Sequence, residues 1–342
     1  GHGGLVGTLL IVTMATAITF LTGLSIASIS TDQKVKTGGA YYMISRSLGI
    51  ESGGAIGISL YFAQALSVAL YTVGFAESIV QVFPGLDEKT LGIITTIIVA
   101  SIALGSAKAA IKAQYVIMVG IVISLICLAL GSAVEPTELK AAAEPLTDSP
   151  GFWIVFAVFF PAVTGIMAGV NMSGDLKNPK KSIPRGTFLA IGVGYLIYMT
   201  LPIILSNRAS VEMLISDPLI MRKISLWGDS ILIGVWGATL SSAIGSMLGA
   251  PRVLQALAKD NILPSFLKWT GKGAGEDDNP RLGTIFTLGV VLVTVWVADL
   301  NLIAPILTMF FLTTYGVLNV AAGIERFLGS PSFRPTFKVH WI

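Results

Sequence analysis

Nine apolar runs, each long enough to cross a bilayer, alternate with short polar connectors: about 5–30, 52–82, 90–106, 113–134, 151–172, 185–206, 229–250, 282–298 and 302–324. Runs of this length carry no in–out alternation, so they predict membrane-spanning helices rather than strands. The connectors sort by charge. With residue 1 outside, the outer connectors hold only Lys89, Lys140, Arg208, Arg222 and Lys223 of the 22 basic residues, and the inner connectors hold the rest. That orientation gives the first run no basic leader, so a preceding helix is expected to be missing and the chain reads as a piece cut at both ends.

Two interruptions of the pattern carry more information. The fifth run contains F-F-P-A-V-T-G-I-M-A-G-V-N-M-S-G at 159–174. Pro161 removes a backbone donor, and Gly165 and Gly169 form helix poorly, so the helix is expected to open near Val163–Met167. Backbone groups freed at membrane depth need protein or a polar cavity to satisfy them, which makes the stretch either an ion-holding break or a proline kink. Between the first two runs, G-G-A-Y-Y-M-I-S-R-S-L-G at 38–49 suits a short helix in the inner interface, with a plain loop as the alternative.

Composition narrows the class. At 54% hydrophobic and 12% charged residues, with a mean hydropathy of +0.80, the 342-residue chain is an integral membrane protein. A net charge of +3 is explained by loop lysines facing a membrane surface, so no nucleic-acid partner is expected. One cysteine, Cys127, excludes an internal disulfide, and two histidines near the ends, His2 and His340, leave no cluster for metal or general-base chemistry. The outer connector from Glu135 to Asp148 reads as a solvated acidic loop, and D-L-K-N-P-K-K-S-I-P-R at 175–185 as a basic inner loop held at the leaflet. Residues 1–328 read as one transmembrane domain and 329–342 as the start of a cytoplasmic connector.

Candidate chemistry lies inside the runs. Tyr71 and Glu77 share the second, the carboxylate about 9 Å outward of the phenol by helical rise. Glu77 is expected to face a water-filled vestibule or an arginine, or to snorkel to the interface. Ala238, Ser241 and Ser242 stand at i, i+3 and i+4 on one face of the seventh run. Their oxygens suit a small hard cation such as sodium, and equally suit ordinary packing between membrane helices. Pro251 and the polar residues 258–261 are expected to lead out of that helix, and Tyr315 to sit mid-helix facing a polar group.

Read together, A-L-Y-T-V-G-F-A-E (69–77), the stretch 159–186 with its M-S-G-D-L and N-P-K-K-S-I-P, A-T-L-S-S-A (238–243) and G-A-P-R-V-L-Q-A-L-A-K-D-N (249–261) resemble the cation-chloride cotransporters over almost the whole chain. The looser N-P-x-x-x-I-P pattern occurs across the amino acid, polyamine and organocation transporter superfamily. The resemblance implies an all-α membrane protein with a LeuT-type five-plus-five inverted repeat, here running from the second to the tenth helix, with 159–174 as the broken sixth and the first lacking. It further implies a potassium site at Tyr71, Pro161 and Thr164; a chloride site at Gly165, Ile166, Met167 and Tyr315; a sodium site at Ala238, Ser241 and Ser242; and an outer gate at Glu77. Sodium-independent members depart from the paired serines, both of which are present here.

These residues lead to the expectation of a secondary active symporter of chloride with potassium and sodium. It is not an enzyme and has no cofactor beyond its transported ions. The expected partners are inorganic ions, the lipid bilayer and a second copy in a homodimer. A sodium-coupled amino acid or amine permease, or a non-transporting scaffold, remains as an alternative. The short connector at 207–228 points to a compact, prokaryotic plasma-membrane member.

Overall fold

The computed structural model describes residues 4–32, 38–105, 107–134, 151–171, 173, 176–275, 278–328 and 334–337. The acidic connector at 135–148, Lys34 and Lys36, three positions of the M-S-G-D-L motif (172, 174 and 175) and most of the connector 329–342 lie outside the described residues. Within them the chain is helical, with an isolated bridge between Ala274 and Asn279 and no named strand.

All nine predicted spans are helices. Along the chain they are α1 (Gly4–Asp32), α3 (Ile50–Val82), α4 (Glu88–Gly105), α5 (Ala107–Ala129), the broken pair α6 (Phe152–Phe159) and α7 (Ile166–Asn171), α8 (Pro179–Arg208), α11 (Gly228–Lys259), α12 (Arg281–Val297) and α13 (Leu300–Phe327). Eight spans are long and apolar enough to cross a membrane, and α12 is a shorter apolar helix. Short helices fill two connectors: α2 (Ala40–Ser47), and α9 (Val211–Ser216) with α10 (Ile220–Ile224).

The order repeats. A long helix, a short connector helix, a very long helix, a short span and a last span occur as α1, α2, α3, α4, α5, and again as α8, α9/α10, α11, α12, α13. Corresponding lengths are close: 29 and 30 residues for α1 and α8, 33 and 32 for α3 and α11, 18 and 17 for α4 and α12. By the charge rule α1 runs inward and α8 outward, so the repeats are inverted as in LeuT-type transporters. The counterparts pack on each other, α3 along α11 and α1 along α8, and these are the two most extensive helix contacts. Little of the apolar stretches of α5 and α8 is buried, and these outward surfaces face lipid.

Two sequence expectations need correction. The helix does not end near Pro251: α11 runs on to Lys259, because Val253, Leu254, Leu257 and Ala258 are buried in the core and their packing outweighs one lost helix bond. The basic stretch 175–185 is not all loop. Pro179 occupies the first turn of α8, where its missing donor costs nothing, and Pro184 lies inside the helix. The expected short helix at 38–49 is present as α2, with Ala40, Tyr41, Met43, Ile44 and Ser45 buried against α1, α3, α7, α11 and α13. Its entry needs Gly39, at φ +51°, because a Cβ there would fall within 2.4 Å of the Asn171 side-chain oxygen.

The inner end of the bundle is tied at Asp260, which caps α11. Tyr41 donates to its carboxylate at 2.6 Å, and Arg46 approaches at 4.0 Å. Burial first, and then the Asp260 carboxylate, hold the Tyr41 phenol well above its ordinary value, so it stays a donor.

Candidate functional site

The fifth span opens where its sequence predicts. After α6 the chain tightens into a 3₁₀ turn over Phe160–Val163, leaves helix geometry at Thr164 and Gly165, and resumes as α7. Pro161 cannot donate to the Ala157 carbonyl four residues back, and that carbonyl instead accepts from the Thr308 hydroxyl of α13 at 2.6 Å.

The four carbonyls that follow are each met by a hydroxyl. Pro161 O accepts from Thr164 Oγ1 at 2.7 Å; Ala162 O from Tyr198 of α8 at 3.1 Å; Val163 O from Thr19 of α1 at 3.2 Å, a hydroxyl shared with the Ala15 carbonyl of its own helix at 3.1 Å; and Thr164 O from Tyr315 of α13 at 3.0 Å. Hydroxyls from three surrounding helices thus replace the bonds that the break removes, as low-dielectric surroundings demand. Phe160 and Phe311 flank the Tyr315 ring, with centroids at 6.0 and 5.8 Å, and fix its direction.

Donors at the break are used less fully. Met167 N–H returns to Thr164 O at 3.3 Å and Ala168 N–H to Gly165 O at 3.2 Å, whereas the N–H groups of Gly165 and Ile166 have no acceptor among the described residues. Gly165 and Ile166 line a cavity of about 210 Å³ between the break, α1 and α8, with Thr16, Thr19, Tyr195 and Tyr198 on its wall. Thr16 is buried there with its hydroxyl unpartnered.

The expected site residues fall into three groups. Pro161, Thr164, Gly165, Ile166, Met167 and Tyr315 are brought together at the break, and Tyr71 stands half-buried on α3. Of the anion set, the Met167 N–H is already spent in the turn and the Tyr315 hydroxyl is engaged with Thr164. Ala238, Ser241 and Ser242 lie together on α11, half-buried. Thr239 beside them folds its hydroxyl back onto the carbonyls of Val235 and Trp236, as most hydroxyls in these helices do, but neither serine makes a hydrogen bond to a described residue.

Glu77 stands apart toward the outer end of α3. Gln81 donates to it at 3.4 Å, and no arginine or lysine pairs with it among the described residues. One turn-face away, Ser78 accepts from the Trp236 indole at 3.0 Å and joins α3 to α11. Sequence reasoning did not reach Tyr198, Thr19 and Thr308. Their only local signal is a hydroxyl in an otherwise apolar run, which is also what a back-bonded, purely structural residue shows.

Comparison with known proteins places this geometry in context. The model of the amino acid permease family matches residues 1–341. Among curated proteins the chain is similar to solute carrier family 12 member 2 of Danio rerio, at 36% identity over 99% of this chain and 35% of the relative, and to the Homo sapiens member 2, at 36% over 100% and 33%. It is also similar to solute carrier family 12 member 1 of Mus musculus, at 33% identity over 100% of this chain and 37% of the relative. The chain therefore spans about a third of the length of the curated relatives it matches.

Proposed function

The chain belongs to the amino acid permease family, and on that premise we propose that it is a secondary active symporter carrying chloride with potassium and sodium by alternating access. The resemblance to the cation-chloride cotransporters is borne out by its relatives in solute carrier family 12. The observation that carries the reading is the break itself, where carbonyls and a hydroxyl at 161–164 adjoin unspent backbone N–H groups at 165–166.

Oxygens of Pro161 and Thr164, with the Tyr71 phenol, replace the hydration shell of a large monovalent cation. The Gly165 and Ile166 N–H groups then take an anion, joined by Met167 and by Tyr315 once its hydroxyl turns from the Thr164 carbonyl. Held this close, opposite charges partly cancel. A half-loaded cavity is electrostatically unfavourable to move, and this penalty is the coupling. Sodium takes the unspent hydroxyls of Ser241 and Ser242 with the Ala238 carbonyl, and Glu77 serves the outer gate. The compact outer connector, folded as α9 and α10, is our reason for reading a prokaryotic plasma-membrane protein. The protein works in the bilayer, as a homodimer in this reading.

The matched family model is that of amino acid permeases, and this favours one second reading, sodium-coupled uptake of an amino acid or amine. Uptake of a potassium analogue into vesicles containing the protein, with sodium and chloride withdrawn in turn, separates the two. Loss of uptake on withdrawing either ion supports the three-ion reading. Amino acid flux indifferent to chloride overturns it.

A further inference from the structure

The lipid-facing side of the α1/α8 pair is not uniformly apolar. On α8, Lys181, Arg185, Phe188, Gly192 and Tyr195 follow one another at alternating spacings of four and three residues, so they form one stripe along the helix. The stripe is basic at its inner end and apolar beyond it. Arg185 and Tyr195 lie ten residues apart, about 15 Å along the axis, which is the depth of one leaflet in a hydrocarbon core about 30 Å thick.

Two cavities follow this stripe. The inner one, of about 430 Å³, has Lys180, Lys181 and Arg185 on its wall together with Thr31 and Phe337. The deeper one, of about 350 Å³, is a groove between α1 and α8 lined by Ala17, Phe20, Phe188, Ile191, Gly192 and Tyr195. Phe188 belongs to both, so the basic cavity leads into the apolar groove. Its ring stands between those of Phe337 and Phe20, with centroids at 5.5 and 5.7 Å, and the three make an aromatic row from one cavity to the other. Gly192 keeps the groove clear, since a Cβ there would meet nothing within 4 Å. Tyr195 and Thr13, whose hydroxyls meet at 3.2 Å, mark its deep end.

The charges at the inner end are unequally used. Lys180 donates to the Asp32 main-chain carbonyl at 2.8 Å, and the Asp32 carboxylate accepts from the Arg334 N–H at 2.6 Å. Lys181 and Arg185 are exposed, and neither has a hydrogen-bond or ion-pair partner among the described residues. Two unspent cations at the mouth of an apolar groove one leaflet deep complement a ligand with an anionic head and a long hydrocarbon tail.

We propose that this stripe binds an anionic phospholipid of the inner leaflet, its phosphate at Lys181 and Arg185 and one acyl chain in the α1/α8 groove. The inference needs only the inward orientation of these helix ends and stands apart from the symport reading. Lys181 contributes a compact charge and Arg185 a planar fork matched to phosphate oxygens. Because α1 and α8 are the counterpart first helices of the two repeats, an occupied groove braces one repeat against the other.

The test is lipid binding to the purified protein in neutral detergent, read by native mass spectrometry and by the unfolding midpoint. The probes are phosphatidylglycerol, phosphatidylcholine with the same chains, and glycerol phosphate. Phosphatidylglycerol should raise the midpoint and bind about thirtyfold more tightly than phosphatidylcholine, and glycerol phosphate should do neither. Replacing both cations, Lys181→Gln with Arg185→Gln, should bring phosphatidylglycerol down to the phosphatidylcholine level. Gly192→Leu puts a better helix former at an exposed position, so its midpoint without lipid should match wild type. By filling the groove it should weaken both lipids about tenfold and leave their ratio unchanged. Equal binding of the two lipids to wild type, glycerol phosphate bound as tightly as phosphatidylglycerol, or wild-type lipid affinity in either variant overturns the site.

Discussion

Tyr315 is asked to do two things, and replacing it by phenylalanine separates them. In the structure its hydroxyl donates to the Thr164 carbonyl at 3.0 Å in a fully buried setting. That carbonyl keeps a second donor, Met167 N–H, so Tyr315→Phe removes one bond without baring the acceptor. The stability loss should be about 1 kcal/mol, the net worth of a neutral hydrogen bond. If the hydroxyl also binds chloride, a bond to a charged ligand of about 1.5–3 kcal/mol is lost as well, raising the half-saturating chloride concentration about tenfold to a hundredfold. Tyr198→Phe is the control. It removes a comparable bond to the Ala162 carbonyl, but on the cavity side, where water can replace the donor, so its stability cost should lie at or below about 1 kcal/mol. Its chloride dependence should not move. Uptake titrated against chloride, with unfolding midpoints measured in parallel, decides the matter. Equal chloride shifts in both variants, or none in either, would refute the assignment of Tyr315 to the anion.

Ser241→Ala should raise the half-saturating sodium concentration about tenfold while leaving that for chloride unchanged, read as uptake titrated against each ion. Because its hydroxyl bonds to no described group, the variant should keep wild-type stability within about 0.5 kcal/mol. Thr308→Val leaves the Ala157 carbonyl without a donor at membrane depth and should cost about 1–3 kcal/mol with ion affinities unchanged, whereas Thr308→Ser should restore the midpoint. At the inner end, burial and Asp260 raise the Tyr41 phenol above its ordinary value, so its stabilisation is complete below about pH 10 and is lost as pH rises beyond it. Tyr41→Phe should therefore be less stable than wild type at pH 8 and lose less on moving to pH 11, measured as unfolding midpoints.

Spans and break were legible because their causes are local. Twenty apolar residues dictate a membrane helix, and Pro161 with Gly165 weakens one at a definable place, where the helix indeed opens. The proline rule failed at Pro251 because the outcome depends on what the next turn buries: Val253, Leu254 and Leu257 face the core, and their packing carries α11 through. At α2 the amphipathic pattern around Tyr41 found the short helix, but it does not reveal which other helices cover it. The ring of hydroxyls was hidden for a stronger reason. Thr19 lies 144 residues from Val163, and Tyr315 and Thr308 each lie 151 residues from the carbonyls they meet. No local rule links such positions, and a threonine in an apolar run usually bonds its own helix, as Thr22 and Thr31 do.

That ring changes how the break should work. Were the freed carbonyls left bare, only a bound cation could hold the helix open, and emptying the site would close it. With five hydroxyls already meeting the carbonyls of positions 157 and 161–164, the break is held open by the protein's own groups. Under the symport reading a cation takes the Pro161 and Thr164 carbonyls as the Thr164 and Tyr315 hydroxyls turn away from them, and an anion adds to the unspent N–H groups of Gly165 and Ile166, so neither ion has to unwind a helix on arrival. Binding energy is thereby kept for coupling one ion to the other and for biasing the two repeats between their inward and outward arrangements. Transport cycles that must return empty need an unloaded site that keeps its shape, and hydroxyls drawn from α1, α8 and α13 give the break that persistence.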